Sequence, residues 1–302
     1  MTNKIKSFLL DKRLPHFLSY TLIHKFLTKI EIVEPNEILL SLTFDIEHHP
    51  FVEKNFLKKF FQKLKNLLKR TRSTLFVCGE IIEEVAKELR KIQKDCELGL
   101  HGYKHELWGD EKWWLNKKPI NKKTKIKLIR LSFENFKKNR LKKPISFRAP
   151  YMVSNEETLD ILNNFGFKVD SSNCTYLNED ALPSKYKKIV RIPVSVNPIP
   201  IFKKKFLIPF SFYKIFNMEN FHVFEKNDIL EFVKIVTSFQ QANGIRPHLV
   251  FLAHPWEFIH VKNLAYCSQK NYSVLEKIVN ILEENYKIKF LKIAELSKEV
   301  FK

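Results

Sequence analysis

Cysteine is scarce in this chain of 302 residues, and the spacing of its four cysteines excludes the common cysteine-based sites. The cysteines lie far apart and form no Cys-x-x-Cys pair, which argues against a zinc ribbon or a thiol redox motif. No apolar run approaches the ~18 residues of a transmembrane helix. Near the N-terminus, Asp11, Lys12 and Arg13 end a short apolar run too early for a signal peptide. We therefore expect a cytoplasmic protein with reduced thiols.

Acidic residues are also few, since 33 of them stand against 53 lysines and arginines and leave a net charge of +20. A surplus of this size attracts phosphate, acidic glycans and anionic membrane surfaces. Peripheral contact with an anionic membrane is one expectation, although a chain-wide preference for lysine explains the charge equally well. Signatures of nucleic-acid readers, such as a recognition helix or a zinc finger, are missing from the sequence, so we expect no nucleic-acid partner.

Strand and helix patterns alternate along most of the chain. Apolar runs at 39–44, 74–77 and 97–100 predict buried strands, and apolar residues at helical spacing come after each of them. This alternation is typical of parallel strands joined by helices, either in an open wound sheet or in a barrel. The predicted helices lie at 56–68, 80–92, 121–139, 155–165 (capped by Ser154 or Asn155), 228–242, 272–285 and the C-terminus, and further strands end at 147, 170, 253 and 291.

A single domain is expected over residues 38–302, because a hydrophobic content of 44% can supply one large core. Residues 1–37 look like a basic helical extension that precedes the first strand. Residues 192–224 are rich in proline and phenylalanine and predict a loop-rich insertion within the domain.

Two carboxylates, Asp45 and Glu47, follow the first predicted strand. Successive side chains of a strand alternate between its two faces, so these two share one face and Ile46 lies on the other. Neighbouring carboxylates repel each other and normally need a cation, a proton or an arginine nearby. Solvated charges at a helix cap are the structural alternative.

Two histidines, His101 and His105, follow the third predicted strand at a spacing that places both on one side of a helical turn. Two imidazoles and a carboxylate can bind one divalent metal and leave positions open for water and substrate, as a hydrolytic site requires. Many His-x-x-x-His pairs are accidental. Their place directly after a strand favours ligands, because active sites of both architectures lie at the carboxyl ends of the strands.

Two more polar residues stand where predicted strands end. Arg148, in Arg148-Ala149-Pro150-Tyr151, can pair with Asp45 across that edge. His254 ends a strongly apolar strand directly before Pro255. Taken separately, a structural salt bridge and a structural histidine explain these two residues.

Taken in order, these segments resemble the motifs of the polysaccharide deacetylases, the NodB-type carbohydrate esterase family. Thr43-Phe44-Asp45 resembles the family's Thr-Phe-Asp-Asp-Gly segment, and His101 to His105 resembles its His-Ser/Thr-x-x-His segment. Arg148-Ala149-Pro150 is similar to its Arg-x-Pro segment, and His254-Pro255 to its Leu-x-x-His-Pro segment. The resemblance implies an α/β fold, a distorted (β/α)7 barrel of the polysaccharide deacetylase type.

The resemblance further implies hydrolysis of an N-acetyl group with one divalent metal, for which zinc is our expectation. By position, Asp45 resembles the base that activates water, His101 and His105 resemble metal ligands, and Arg148 resembles the partner of Asp45. His254 resembles the acid that protonates the departing sugar amine.

Two further roles are carried over by position. The backbone N–H of Tyr151 resembles the donor that holds the oxyanion. Asp170 resembles the family's further Asp, an orienter of Arg148 or His254, although the Trp expected beside it is missing.

The sequence departs from the family pattern at two positions. Ile46 replaces a metal-binding Asp, and a branch with Phe-Asp-x-Glu and His-Pro-Trp-Glu motifs resembles this chain better. Because Glu47 shares a strand face with Asp45, we assign the metal to Glu47, His101 and His105. Gly102 stands where Ser or Thr is usual.

We therefore expect a deacetylase of N-acetylated sugars in polysaccharide, lipopolysaccharide or other glycan biosynthesis, with a nucleotide-linked, lipid-linked or oligosaccharide substrate. One alternative is a hydrolase of another small amide or formyl group. The other is a catalytically impaired glycan-binding homologue, for which Ile46 and Gly102 argue.

Overall fold

One curled sheet organises the protein, whose computed structural model describes residues 31–50, 52, 55–112, 115–172, 181–197, 215–262 and 264–302. Within these ranges the sheet has the strand order β6-β7-β5-β4-β3-β2-β1-β8, and β9 pairs with the start of β1. Neighbouring strands are parallel except in the hairpin of β6 and β7. The strands are β1 (Ile38–Ile46), β2 (Thr74–Val77), β3 (Glu97–Leu100), β4 (Ser146–Phe147), β5 (Val169–Asp170), β6 (Ser184–Tyr186), β7 (Ile189–Arg191), β8 (His248–Ala253) and β9 (Ile288–Phe290).

Helices alternate with these strands, as the apolar spacing predicts. Asn155, one of the two proposed caps, accepts a hydrogen bond from the backbone N–H of Thr158 and begins α4. The bounds of the predicted helices lie within a few residues of the expected ones, whereas the short helix Met218–Phe221 lies in the segment expected to be loop-rich. The helices are α1 (Phe56–Arg70), α2 (Ile82–Ile92), α3 (Lys122–Lys138), α4 (Glu156–Asn164), α5 (Met218–Phe221), α6 (Lys226–Ala242), α7 (Asn271–Asn285) and α8 (Ile293–Leu296).

The two sides of the curled sheet are joined by backbone contacts next to β8. Ser195 N–H donates to the carbonyl of Val250 at 3.0 Å, and Val250 N–H returns a bond to Ser195 Oγ at 2.9 Å. Phe216 N–H donates to the Ser195 carbonyl, and Leu252 N–H donates to the Phe216 carbonyl. The sheet is therefore a curled half-barrel with helices outside it, which confirms the distorted barrel.

Side-chain alternation in β1 decides which residues reach the interior of the curl. Ile38, Leu40, Leu42, Phe44 and Ile46 belong to the large apolar cluster between the sheet and the helices. The odd-numbered Leu39 belongs to the second cluster, which fills the curl. Asp45 and Glu47 consequently fall on the inner side.

Some expectations concern residues outside the described ranges. Residues 1–30 and 198–214 hold most of the expected extension and insertion, and those assignments stay predictions. Cys78, Cys96 and Cys267 are free thiols, and Cys174 lies outside the described residues. Among the described helices, none has the length and the apolar character that are needed to traverse a bilayer.

Candidate active site

Polar side chains from four strands meet at the carboxyl ends of the sheet. Asp45 lies near the end of β1, His101 follows β3, Arg148 follows β4 and His254 follows β8. Alternation carries each of them to the inner side; in β8, for example, Val250 and Leu252 pack inside the curl and His254 continues that series.

A carboxylate and two imidazoles form a compact group of metal-ligand type. Glu47 Oε2 lies 3.3 Å from His101 Nε2 and 2.7 Å from His105 Nε2. One ligand atom from each of the three residues lies within 4.8 Å of the other two. Imidazole nitrogen and carboxylate oxygen are common ligands of zinc, so the donor set fits one divalent ion.

The state of Glu47 supports that fit. Burial on its own raises the pKa of Glu47, but the imidazoles of His101 and His105 outweigh burial and hold the pKa well below its usual value. Glu47 Oε2 is buried and faces the Nε2 atoms of both imidazoles. A buried, ionised carboxylate that converges with two imidazole nitrogens is an arrangement that a bound cation would stabilise.

A backbone carbonyl fixes the orientation of the His101 ring. Its Nδ1 lies 2.9 Å from the backbone carbonyl of Arg148, and its Nε2 faces Glu47. A hydrogen bond at one ring nitrogen fixes which nitrogen is left to bind a metal.

The loop between the two histidines is not a helical turn, so that part of the sequence interpretation is wrong. Gly102 and His105 both have a positive φ, of 65° and 61°, and the loop bends back on itself. A Cβ at Gly102 would lie 2.7 Å from Trp108 Nε1 and 3.2 Å from Pro150 Cγ. Glycine therefore stands here because no side chain fits.

Asp45 is held by a buried arginine network. Arg148 Nη1 donates to Asp45 Oδ1 and to Thr43 Oγ1, each at 2.8 Å, while its Nε and Nη2 donate to the carbonyl and the Oγ of Ser171. The guanidinium also lies over the ring of Phe76, at 4.3 Å from the centroid. Arg148 is fully buried, so its charge depends on these partners.

His254 faces the same space from β8. Its Nε2 lies 3.9 Å from Glu47 Oε1, and its ring stacks on Trp256 at 4.7 Å between centroids. Burial on its own lowers the pKa of His254, but the carboxylates of Glu257, Glu47 and Asp45 raise the pKa to about 9. The ring is therefore a proton donor at neutral pH.

Comparison with known proteins shows which family part of this chain resembles. Residues 33–169 match the family model described as polysaccharide deacetylase. Over that range, which holds β1 to β4 and reaches β5, the chain is similar to the polysaccharide deacetylases. Polysaccharide deacetylases are hydrolases that act on carbon–nitrogen bonds other than peptide bonds, which confirms the expected enzyme class. A search of curated proteins found no significant match.

Solved structures resemble the fold at low sequence identity. A protein from Mycobacterium smegmatis assigned as a polysaccharide deacetylase is 16% identical, with a TM-score of 0.58 over 88% of this chain and 90% of that chain. A family 4 carbohydrate esterase pseudoenzyme from Bacillus anthracis is 14% identical, with a TM-score of 0.49 over 88% of this chain and 67% of that chain. The peptidoglycan deacetylase PdaC from Bacillus subtilis is 16% identical, with a TM-score of 0.45 over 88% of this chain and 93% of that chain. The first of them supports the polysaccharide deacetylase fold.

Tyr151, whose N–H was the predicted oxyanion donor, has a left-handed backbone at φ 60° and ψ 9°. Its ring packs edge-on against His105 at 4.4 Å between centroids. A non-glycine residue in this conformation is strained, and such strain is concentrated at functional sites. The backbone at Tyr151 thus turns directly beside a candidate metal ligand.

Asp170 has other partners than the resemblance implied. It accepts hydrogen bonds from the N–H and Oγ of Ser172 and from Ser154 Oγ, and it pairs with Arg191 at 3.3 Å. Among the described residues, its hydrogen bonds and ion pairs include neither Arg148 nor His254. Val169 occupies the inner face of β5, so alternation turns Asp170 away from it.

One residue that shapes the histidine loop, Glu106, is not among the predicted site residues. Glu106 accepts the backbone N–H groups of Tyr103 at 3.0 Å and Lys104 at 2.7 Å, and Trp108 Nε1 lies 3.4 Å from the same carboxylate. These contacts brace the loop that presents His105. The only signal in the sequence is that Glu106 directly follows a candidate ligand.

Proposed function

We propose that this protein is a polysaccharide deacetylase that removes the N-acetyl group from an N-acetylated sugar, with one divalent metal, zinc by preference, held by Glu47, His101 and His105. The observation that carries the proposal is the meeting of these three ligand atoms beside a carboxylate that an arginine holds in place. When bound, the metal would polarise the amide oxygen and lower the pKa of a water molecule.

Asp45 is the proposed base. Arg148 contacts its Oδ1, and its Oδ2 lies 3.8 Å from His101 Nε2, on the side of the ligand group. The Oδ2 atom is thus available to take a proton from the attacking water while the other oxygen is fixed. A base whose geometry is set in advance needs little reorganisation during the reaction.

His254 is the proposed acid. His254 follows β8, which pairs with β1, and its Nε2 faces Glu47. A sugar amine that leaves this space therefore meets Nε2. The backbone N–H of Tyr151 is the proposed donor to the oxyanion. Asp170 supports the site through Ser172, whose Oγ accepts the N–H of Ala149 at 2.8 Å.

The substrate is proposed to be a precursor in glycan biosynthesis, carried on a nucleotide or a lipid or present as an oligosaccharide. The net charge of +20 favours a phosphate-bearing carrier and peripheral contact with an anionic membrane in the cytoplasm. Both preferences predict affinity that falls as salt rises.

Acetate release tests this function. The purified protein is incubated with N-acetylated nucleotide sugars, lipid-linked sugars and oligosaccharides, with and without zinc, and bound metal is measured. We expect acetate from at least one class, and we expect Glu47→Ala and His101→Ala to lose metal and turnover together. His260→Ala, an exposed histidine, is the control. Release of formate alone would favour the other C–N hydrolase, and a protein with neither metal nor turnover would refute the proposal.

A further inference from the structure

One carboxylate, that of Glu257, contacts His254 at two places. Its Oε2 accepts the backbone N–H of His254 at 2.7 Å, and its Oε1 lies 3.5 Å from Nδ1 of the same residue. The side chain is 3% exposed. Glu257 therefore touches both the backbone and the ring of the proposed acid.

The segment that carries Glu257 is itself fixed. Glu257 lies in the short 3-10 helix Pro255–Phe258. The backbone carbonyl of Glu257 accepts hydrogen bonds from Asn271 Nδ2 at 2.8 Å and from Ser268 N–H at 3.1 Å. Trp256 covers one face of the His254 ring, with 24° between the planes. Trp256 thus fixes the plane of the His254 ring, and separate contacts to Asn271 and Ser268 fix the position of Glu257.

The environment of His254 Nδ1 points to the same residue. This atom is buried without a hydrogen bond of standard geometry to a described residue, and the carboxylate oxygen Oε1 of Glu257 lies 3.5 Å from it. The other ring nitrogen, Nε2, faces Glu47. Asp170, the orienter that the resemblance implied, instead accepts hydrogen bonds from Ser172 and Ser154 and forms an ion pair with Arg191.

We propose that Glu257 is the positioning residue of His254, turning Nδ1 towards itself so that the Nε2 proton faces the departing sugar nitrogen. This inference rests on the proposed deacetylation. In that reaction the water oxygen bonds to the acetyl carbon and gives a proton to Asp45. The C–N bond breaks with its electron pair left on nitrogen, and that nitrogen takes the Nε2 proton. An orienting carboxylate fixes which ring nitrogen of a histidine faces the substrate, without itself touching the substrate.

A comparison of two substrates tests this role. Zinc-loaded wild type and Glu257→Gln are assayed with an N-acetylated oligosaccharide, whose amine must be protonated, and with 4-nitrophenyl acetate, whose phenolate leaves without an acid. Asp228→Asn is the matched control, because Asp228 caps the backbone N–H of Glu225 three residues earlier in the same way, at 3.0 Å. Glu47→Ala shows whether the same site hydrolyses both substrates.

We expect Glu257→Gln to lower kcat on the N-acetylated substrate about 10²-fold, with KM nearly unchanged, because general acid catalysis contributes at least that much. Ester hydrolysis should stay within about threefold, as should both activities of Asp228→Asn. Equal loss on both substrates, or no loss on either, would overturn the role.

A spectroscopic readout separates this inference from the function itself. A ring N–H hydrogen-bonded to a buried carboxylate gives a downfield proton resonance, which His254→Ala assigns by its disappearance. We expect Glu257→Gln to move this resonance upfield and Asp228→Asn to leave it in place. If wild type releases no acetate, the proposed function fails while the resonance still decides the contact; an unshifted resonance in Glu257→Gln refutes the positioning role.

Discussion

Replacing Ile46 with Asp would restore the carboxylate that the family pattern has at this position, and the structure predicts that the change harms the protein. Ile46 is fully buried in the apolar layer between the sheet and the helices. Glu47 and Asp45 lie on the opposite, inner side. A carboxylate at position 46 would therefore face hydrocarbon and could not reach the metal group.

The size of the effect follows from two terms. Loss of the buried aliphatic side chain costs about 2–5 kcal/mol, as in large-to-small core substitutions. Burial of a carboxyl group without a partner adds roughly 2–3 kcal/mol, and more if it stays ionised. Their sum, about 4–8 kcal/mol, approaches the ~5–15 kcal/mol that holds a typical domain folded. Ile46→Val, which keeps the face apolar, should cost only about 1 kcal/mol.

Urea unfolding and zinc stoichiometry measure the two parts of this prediction. We expect Ile46→Asp to lower the urea concentration at the unfolding midpoint strongly or to leave little folded protein. Ile46→Val should stay folded and active. The decisive variant is Ile46→Asp combined with Glu47→Ala. If it binds zinc as wild type does, position 46 can ligate, and both the strand alternation and the assignment of Glu47 are wrong.

Three further predictions concern the arginine network, the histidine loop and a buried histidine outside the site. Arg148→Met should destabilise the protein by about 3–5 kcal/mol and abolish turnover, because it leaves the buried Asp45 carboxylate without its partner; urea unfolding and acetate release check this. Gly102→Ser should cost about 1–3 kcal/mol and weaken zinc binding in a competition titration, because the left-handed backbone and the nearby Trp108 leave no room for a side chain; unchanged affinity would contradict this. Burial lowers the pKa of His248 to about 4, so the unfolded chain, with an ordinary value near 6.5, binds more protons between these values. The stability that His248 contributes is therefore complete above pH 6.5 and lost as pH falls towards 4, with about 2 kcal/mol lost between pH 7 and pH 5, and His248→Gln should remove that slope from urea unfolding.

The sequence determined the local features of this protein, because they depend on neighbouring residues. Alternation along β1 placed Asp45 and Glu47 on one face and Ile46 on the other, as the division of the apolar clusters confirms. The spacing of apolar residues located the helices in the same way, and Asn155 marked the start of one of them. The carboxyl ends of parallel strands share one edge of a sheet. This general property predicts that His101, Arg148 and His254 lie beside the two carboxylates.

Tertiary structure alone decided what depends on contacts between distant segments. The choice of a curled half-barrel over an open sheet is made where Ser195 and Phe216 join β8, and no local pattern encodes that contact. The observed partners of Asp170 differ from the expected ones because the neighbouring strand β7 places Arg191 beside it. The bent histidine loop depends on Trp108 and Pro150 packing around Gly102, a matter of available space that a spacing of four residues cannot express.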